Sequence, residues 1–164
     1  MASKNDSKKQ LQALCRICSS LSAAENTDPV EDLEKRFETL ARKGNLSLVV
    51  LFGSYATGRE NAGSDLDIAV LLSDTDDDDP LHTEAVIARE IWMLLNPACE
   101  IDLIILNTAG SLMKRNVANT GIPLYVSSPE LWRAFRLRAC REFENDARFR
   151  ERRWQQVKRN IARG

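Results

Sequence analysis

Apolar residues along the chain recur in two alternating rhythms, a helical one and a short continuous one that marks buried strands. Lys4 to Leu21 begins polar and becomes helical, with Leu11, Leu14, Ile17, Cys18 and Leu21 at helical spacing, and Ala23 to Thr27 reads as a loop. Asp28-Pro29-Val30-Glu31 is a helix start, with Asp as cap, Pro in the first turn and Glu three positions on. The helix it opens, Pro29 to Lys43, carries Val30, Leu33, Phe37 and Leu40 on one stripe, and Gly44 ends it. Leu46 to Phe52 is a first strand, Ser54 to Arg59 a short helix, and Asp65 to Leu72 a second strand. Leu81 to Leu95 is a helix with Val86, Ile87, Ile91, Leu94 and Leu95 inward, stopped by Asn96-Pro97. Glu100 to Leu106 is a third strand, Thr108 to Asn119 a helix ended by Gly121, and Ile122 to Val126 a short last strand. Pro129 opens a final helix that reaches Ile161, with Leu131, Phe135, Leu137, Phe143, Phe149, Trp154 and Val157 interleaved with arginines. A helix this long and one-sided exceeds what a small core can cover, so part of it is expected to meet a partner chain.

The alternation of helix and strand predicts one α/β (α+β) domain over residues 1–164: N-terminal helices to 45, a core over 46–126 and a C-terminal helix over 129–161. No stretch is long and apolar enough for a membrane span and none reads as a signal peptide, so a soluble cytoplasmic protein is expected. The net charge of −1 hides an uneven division. From Glu130 onward there are 11 basic and 5 acidic residues, so the C-terminal segment is basic and the body acidic. That basic segment suits an acidic partner surface or nucleic acid, or else plain solvation.

Candidate chemistry gathers between Leu48 and Leu72. There an apolar run ends in Gly53-Ser54 and a second begins at Asp65-Leu66-Asp67. Gly53 permits a sharp turn and a close approach. The Ser54 hydroxyl and the neighbouring N–H groups suit a phosphate. Residues two apart on a strand share a face, which puts the Asp65 and Asp67 Cα atoms roughly 6–7 Å apart. Carboxylates so placed repel unless a cation lies between them. Asp102, near the start of the third strand, would join them and complete a site for two Mg²⁺. Glu100 shares the face of Asp102 at the strand's rim.

The pattern Gly-Ser, ten residues, Asp-x-Asp, then a third Asp about 35 residues on resembles the nucleotidyltransferase superfamily that shares its fold with DNA polymerase β. In size the chain is similar to the minimal nucleotidyltransferase (MNT) branch, and the resemblance covers about Leu46 to Val126. It implies a small mixed sheet flanked by helices and transfer of a nucleoside monophosphate from an NTP with release of pyrophosphate. It further implies that Asp65 and Asp67 hold the metal on the triphosphate. All three acids would then hold the second Mg²⁺, with Asp102 able to take the acceptor's proton. Gly53 and Ser54 would take the β/γ phosphates of ATP at the N-terminus of the short helix. Ser64 would orient Asp65 or touch phosphate, or simply cap the strand start. One departure stands out: Tyr55 and Thr57 occupy places where many relatives carry arginine, and Arg59 follows just after Gly58. Either nucleotide binding is weaker for it, or Arg59 replaces those cations.

Members of the MNT branch act as antitoxins paired with HEPN-type ribonuclease toxins. The resemblance therefore implies AMP transfer from ATP to a tyrosine of such a toxin, with neither a membrane nor nucleic acid as direct partner. Two alternatives are a nucleotidyltransferase acting on a small hydroxyl compound, for which no extra helical domain is evident, and an antitoxin that neutralises by contact alone. A polymerase role would need a template-binding domain that the sequence lacks. Other features read as structural. Cys15 and Cys18 form a lone C-x-x-C, with Cys99 and Cys140 far apart, so reduced thiols are expected. Asp76 to Asp79 reads as a solvated loop, and His82 as a surface residue.

Overall fold

The computed structural model describes residues 29–73, 80–95 and 99–161. The expected Lys4–Leu21 helix, the Cys15/Cys18 pair, the Asp28 cap, the acidic run Asp76–Asp79 and the Asn96-Pro97 stop lie outside them. So do the side chains of Val30, Leu33 and His82.

The elements are α1 (Pro29–Lys43), β1 (Leu46–Leu51), α2 (Gly53–Thr57), β2 (Leu66–Leu72), α3 (Pro80–Leu95), β3 (Ile101–Ile105), α4 (Ser111–Thr120), β4 (Ile122–Val126) and α5 (Pro129–Ile161). The four strands form one sheet in the order β3-β2-β1-β4. β1 runs antiparallel to both β2 and β4, while β2 and β3 are parallel. This is the expected small mixed sheet flanked by helices.

Side chains alternate across a strand, so each apolar run supplies two faces. One face gathers Val49 and Leu51 of β1, Leu66, Ile68 and Val70 of β2, and Leu103 of β3. It is covered by Phe37, Leu40 and Ala41 of α1 and by Ile87, Ile91 and Leu95 of α3. The opposite face presents Leu48, Val50 and Phe52 with Ala69 and packs on Val117 and Ala118 of α4 and Phe135 and Ala139 of α5. β1 is buried on both faces because it is central, with helices on either side.

Several details depart from expectation. α1 ends at Lys43, directly before Gly44 as expected, while the left-handed conformation falls on Asn45, with φ 52°. Gly44 instead donates its N–H to the Leu40 carbonyl at 2.8 Å. The helix expected from Thr108 starts at Ser111, because Ala109 N–H closes a turn onto the Ile105 carbonyl at 3.1 Å and Gly110 is extended. Val86 and Leu137 point outward, at 42% and 61% exposure. At 100° per residue, Val86 lies off the Ile87–Ile91–Leu95 stripe and Leu137 lies across the helix from Phe135.

The near half of α5 is tied to α4. Lys114 Nζ meets Glu142 Oε2 at 3.1 Å, the Arg115 guanidinium sits 4.3 Å from the Phe143 ring centre, and Arg136 Nε donates to the Ala118 carbonyl at 2.9 Å. Beyond that the helix leaves the core, and Phe149, Trp154 and Val157 are exposed. Phe135 and Leu137 therefore provide a paired test of the packing. Phe135→Ala should cost about 3–5 kcal/mol in urea unfolding, the range for emptying a buried aromatic site. Leu137→Ala should stay within about 0.5 kcal/mol of wild type.

Candidate active site

The candidate residues meet where β1 ends and β2 and β3 begin. Phe52 N–H donates to the Asp67 carbonyl at 3.0 Å, which carries the antiparallel ladder up to the turn. Gly53 then takes φ +69°, and a Cβ at that position would overlap the Asp67 carboxylate. A side chain is thus excluded twice, by conformation and by space. The Ser54 N–H reaches the same carboxylate.

On the other side of β2, Asp67 is level with Asp102 across the parallel pair. Both belong to the face opposite Leu66 and Leu103. Asp65 falls one residue short of β2, whose ladder begins where Leu66 N–H donates to the Glu100 carbonyl at 2.8 Å. The expected strand position of Asp65 is corrected accordingly. It stands at the end of the 61–64 turn, yet near enough for its charge to act on Asp67.

Burial first, then the Asp102 and Asp65 carboxylates, push the Asp67 carboxyl above its ordinary range, and the bond from Ser54 N–H opposes the rise. Asp67 is half-buried, while Asp65 and Asp102 are exposed. The donor set is all oxygen, which fits a hard cation such as Mg²⁺. Among the described residues no three acidic, His or Cys side chains form a ready-made cage. Mg²⁺ does not need one, since it is commonly held by one or two carboxylates together with substrate phosphates.

The remaining candidates take different places. Ser64 is engaged in its turn: its hydroxyl oxygen accepts Asn61 N–H at 2.9 Å, and its own N–H donates to the Asn61 carbonyl at 3.0 Å. Arg59 is exposed just past α2, with its N–H on the Ser54 carbonyl at 3.0 Å. Glu100 is exposed beside the start of β3. Thr57 turns its hydroxyl back to the Gly53 and Ser54 carbonyls at 2.9 and 3.2 Å. Tyr55 donates its hydroxyl to the Cys99 thiol at 3.5 Å. That bond, burial, and the charges of Cys99, Glu60 and Asp65 push the phenol up to about 12, so it stays protonated and a donor. Cys99 and Cys140 are free thiols, as expected. The sequence offered no signal for the Tyr55–Cys99 pairing, which joins residues 44 positions apart.

The family described as Polymerase beta, Nucleotidyltransferase matches residues 34–130, which contain this whole constellation. The chain belongs to the polymerase beta nucleotidyltransferase family. The protein adenylyltransferase MntA of Shewanella oneidensis is 37% identical over 83 residues, 49% of this chain and 54% of that protein. The chain thus spans about half the length of the curated relative it matches. Among solved structures, a toxin–antitoxin complex with AMP-PNP superposes with a TM-score of 0.61 at 26% identity, over 76% of this chain and 98% of that one. The complex of tri-AMPylated Shewanella oneidensis HEPN toxin with MNT antitoxin shares the fold at a TM-score of 0.56 and 24% identity, over 79% and 98%. Among the described residues no helix is long and apolar enough to cross a membrane.

The raised Asp67 carboxyl carries a consequence for stability. The native state holds that proton more tightly than the unfolded chain does. Stability contributed by this group is therefore lost as pH rises from the ordinary value of 3.8 toward the raised one. Asp67→Asn removes the like charge and keeps an acceptor for Ser54 N–H, so it should melt above wild type at pH 7. The gap should narrow as the pH is lowered through that window. A lower melting temperature at pH 7 would mean that the charged bond to Ser54 outweighs burial and repulsion.

Proposed function

We propose that the protein is an adenylyltransferase antitoxin that moves AMP from ATP to a tyrosine of a HEPN-type toxin. The observation that carries this reading is the convergence of Gly53-Ser54 on Asp67, with Asp102 level with it across the sheet. The likeness to MntA and to toxin–antitoxin complexes supports the acceptor class.

Phosphoryl centres spread negative charge over several oxygens, so the protein's work is positioning and neutralisation. Gly53 brings the backbone N–H groups of the turn against the β and γ phosphates, and the Ser54 hydroxyl adds a donor. Asp65, Asp67 and Asp102 would hold two Mg²⁺, which supply charge neutralisation and lower the pKa of the acceptor hydroxyl. Asp102 accepts the proton of the tyrosine hydroxyl. The new bond joins that oxygen to the α-phosphorus, the bond from the α-phosphorus to the β-bridging oxygen breaks, and pyrophosphate leaves. Arg59, exposed beside the turn, would screen charge on the outgoing phosphates.

The test incubates the protein with α-labelled ATP, Mg²⁺ and a purified HEPN toxin, beside an Asp65→Asn/Asp67→Asn double variant. Label on the toxin should fall by at least about 100-fold in the double variant, and toxin neutralisation should vanish with it. Neutralisation that survives in the variant would instead mean inhibition by contact. Asp-dependent label on a small hydroxyl compound rather than on the toxin would place the chain among small-molecule nucleotidyltransferases.

A further inference from the structure

We propose that Tyr55 is a positioning residue. Bonded to Cys99, its phenol fixes the Gly53-Ser54 turn relative to the strand that carries Asp102. The proposal rests on the nucleotide-binding part of the reading above.

Helix α2 spans five residues and buries none of them. A single turn has too few backbone bonds to hold itself, so its placement must come from contacts with its surroundings. The helix lies against β2 and α4, and two further contacts tie it on opposite faces of the sheet. On the acidic face, Ser54 N–H reaches the Asp67 carboxylate. On the other, Tyr55 and Cys99 both pack against the cluster that contains Leu66, Ile68 and Leu103.

Tyr55 thus packs on the face opposite Asp67 and Asp102 and is not a phosphate ligand in an arginine's place. It is a brace behind the turn. Its hydroxyl donates to the Cys99 thiol at 3.5 Å, and Cys99 stands three residues before Asp102. The contacts form a ring: Tyr55 adjoins Ser54, Ser54 bonds Asp67, Asp67 lies level with Asp102, and the chain leads from Asp102 back to Cys99. Opening the ring at the phenol removes the tie between the turn and the strand that carries Asp102. The groups that receive phosphate then lose their fixed distance from the third acid.

The experiment is a double-mutant cycle on Mg-ATP binding with Tyr55→Phe, Cys99→Ala and the two combined, read by isothermal titration and by thermal melting. Phe keeps the ring packing and removes only the donor. Each single variant should weaken Mg-ATP binding by about 3–10-fold, the range for one lost hydrogen bond. The pair should be no worse than either alone, since both remove the same bond. Melting of Tyr55→Phe should stay within about 2 °C of wild type, because a change confined to the turn spares the core. Unchanged affinity in Tyr55→Phe, or losses that multiply in the double variant, would overturn the proposal. Binding does not require transfer. A wild-type chain that binds Mg-ATP but labels no toxin refutes the adenylyltransferase reading, and the cycle still decides the role of Tyr55. A wild-type chain that binds no Mg-ATP overturns both.

Discussion

The contact between Gly53 and the Asp67 carboxylate is the constraint on which the site depends. It brings a backbone turn and an acid into van der Waals contact, and only a residue without a side chain and at positive φ can stand there. The contact is possible because β1 and β2 are antiparallel and hydrogen-bonded up to Phe52 and Asp67. Every element that flattens or buries that pair, from α1 and α3 on one face to α4 and α5 on the other, therefore helps to set the distance between the amides of the turn and the acids. The sheet's core and the chemistry at its end are one structure.

The same contact carries an energetic cost. Asp67 is half-buried beside two further carboxylates, and the single backbone N–H from Ser54 only partly compensates. A carboxylate in that position is poorly satisfied by the protein alone and well satisfied by a divalent cation with a triphosphate. On the proposed reading, the energy lost by assembling three like charges becomes binding energy for the ligand that neutralises them. Such a balance is expected of functional sites, where local rules for stability are broken and compensated elsewhere.

Most of the architecture was legible because the strands are short apolar runs bounded by turn residues, and β4 and α5 fall where the pattern put them. The Gly-Ser and Asp-x-Asp spacing was legible for a related reason. A tight turn and a period of two are local properties, which make Gly53-Ser54 and Asp65-x-Asp67 readable, and the pairing of the two apolar runs then brings Gly53 and Asp67 together. Asp102 was less direct, since a partner across parallel strands depends on the crossover through α3, yet its position near the start of an apolar run sufficed. The errors were rotational or terminal. Val86 and Leu137 lie off their stripes because an apolar residue next to a stripe looks the same in sequence as one within it. Asp65 misses the strand because the 61–64 turn bonds, not the residue's own propensity, decide where the ladder starts. Tyr55–Cys99 was invisible, since a contact made through tertiary packing leaves no periodic trace.

The position of Tyr55 also bears on the missing arginines. An arginine one residue after Gly-Ser could answer phosphate directly, as a cation on the ligand's side. Here that place holds an aromatic residue that packs against the opposite face, in the cluster beneath the sheet. The substitution therefore exchanges charge for rigidity. Affinity for an anion comes either from adding positive charge or from fixing in advance the amides that receive it, because ordering a loose turn would otherwise be charged against binding. With Thr57 bonded back into the helix and Tyr55 bonded to Cys99, α2 on the proposed reading follows the second route. Arg59, beyond the end of α2 and exposed, remains as the nearby cation. A site built this way depends less on screened long-range charge and more on the short bonds that hold its turn. Its nucleotide affinity should therefore tolerate salt better than that of a relative relying on exposed arginines.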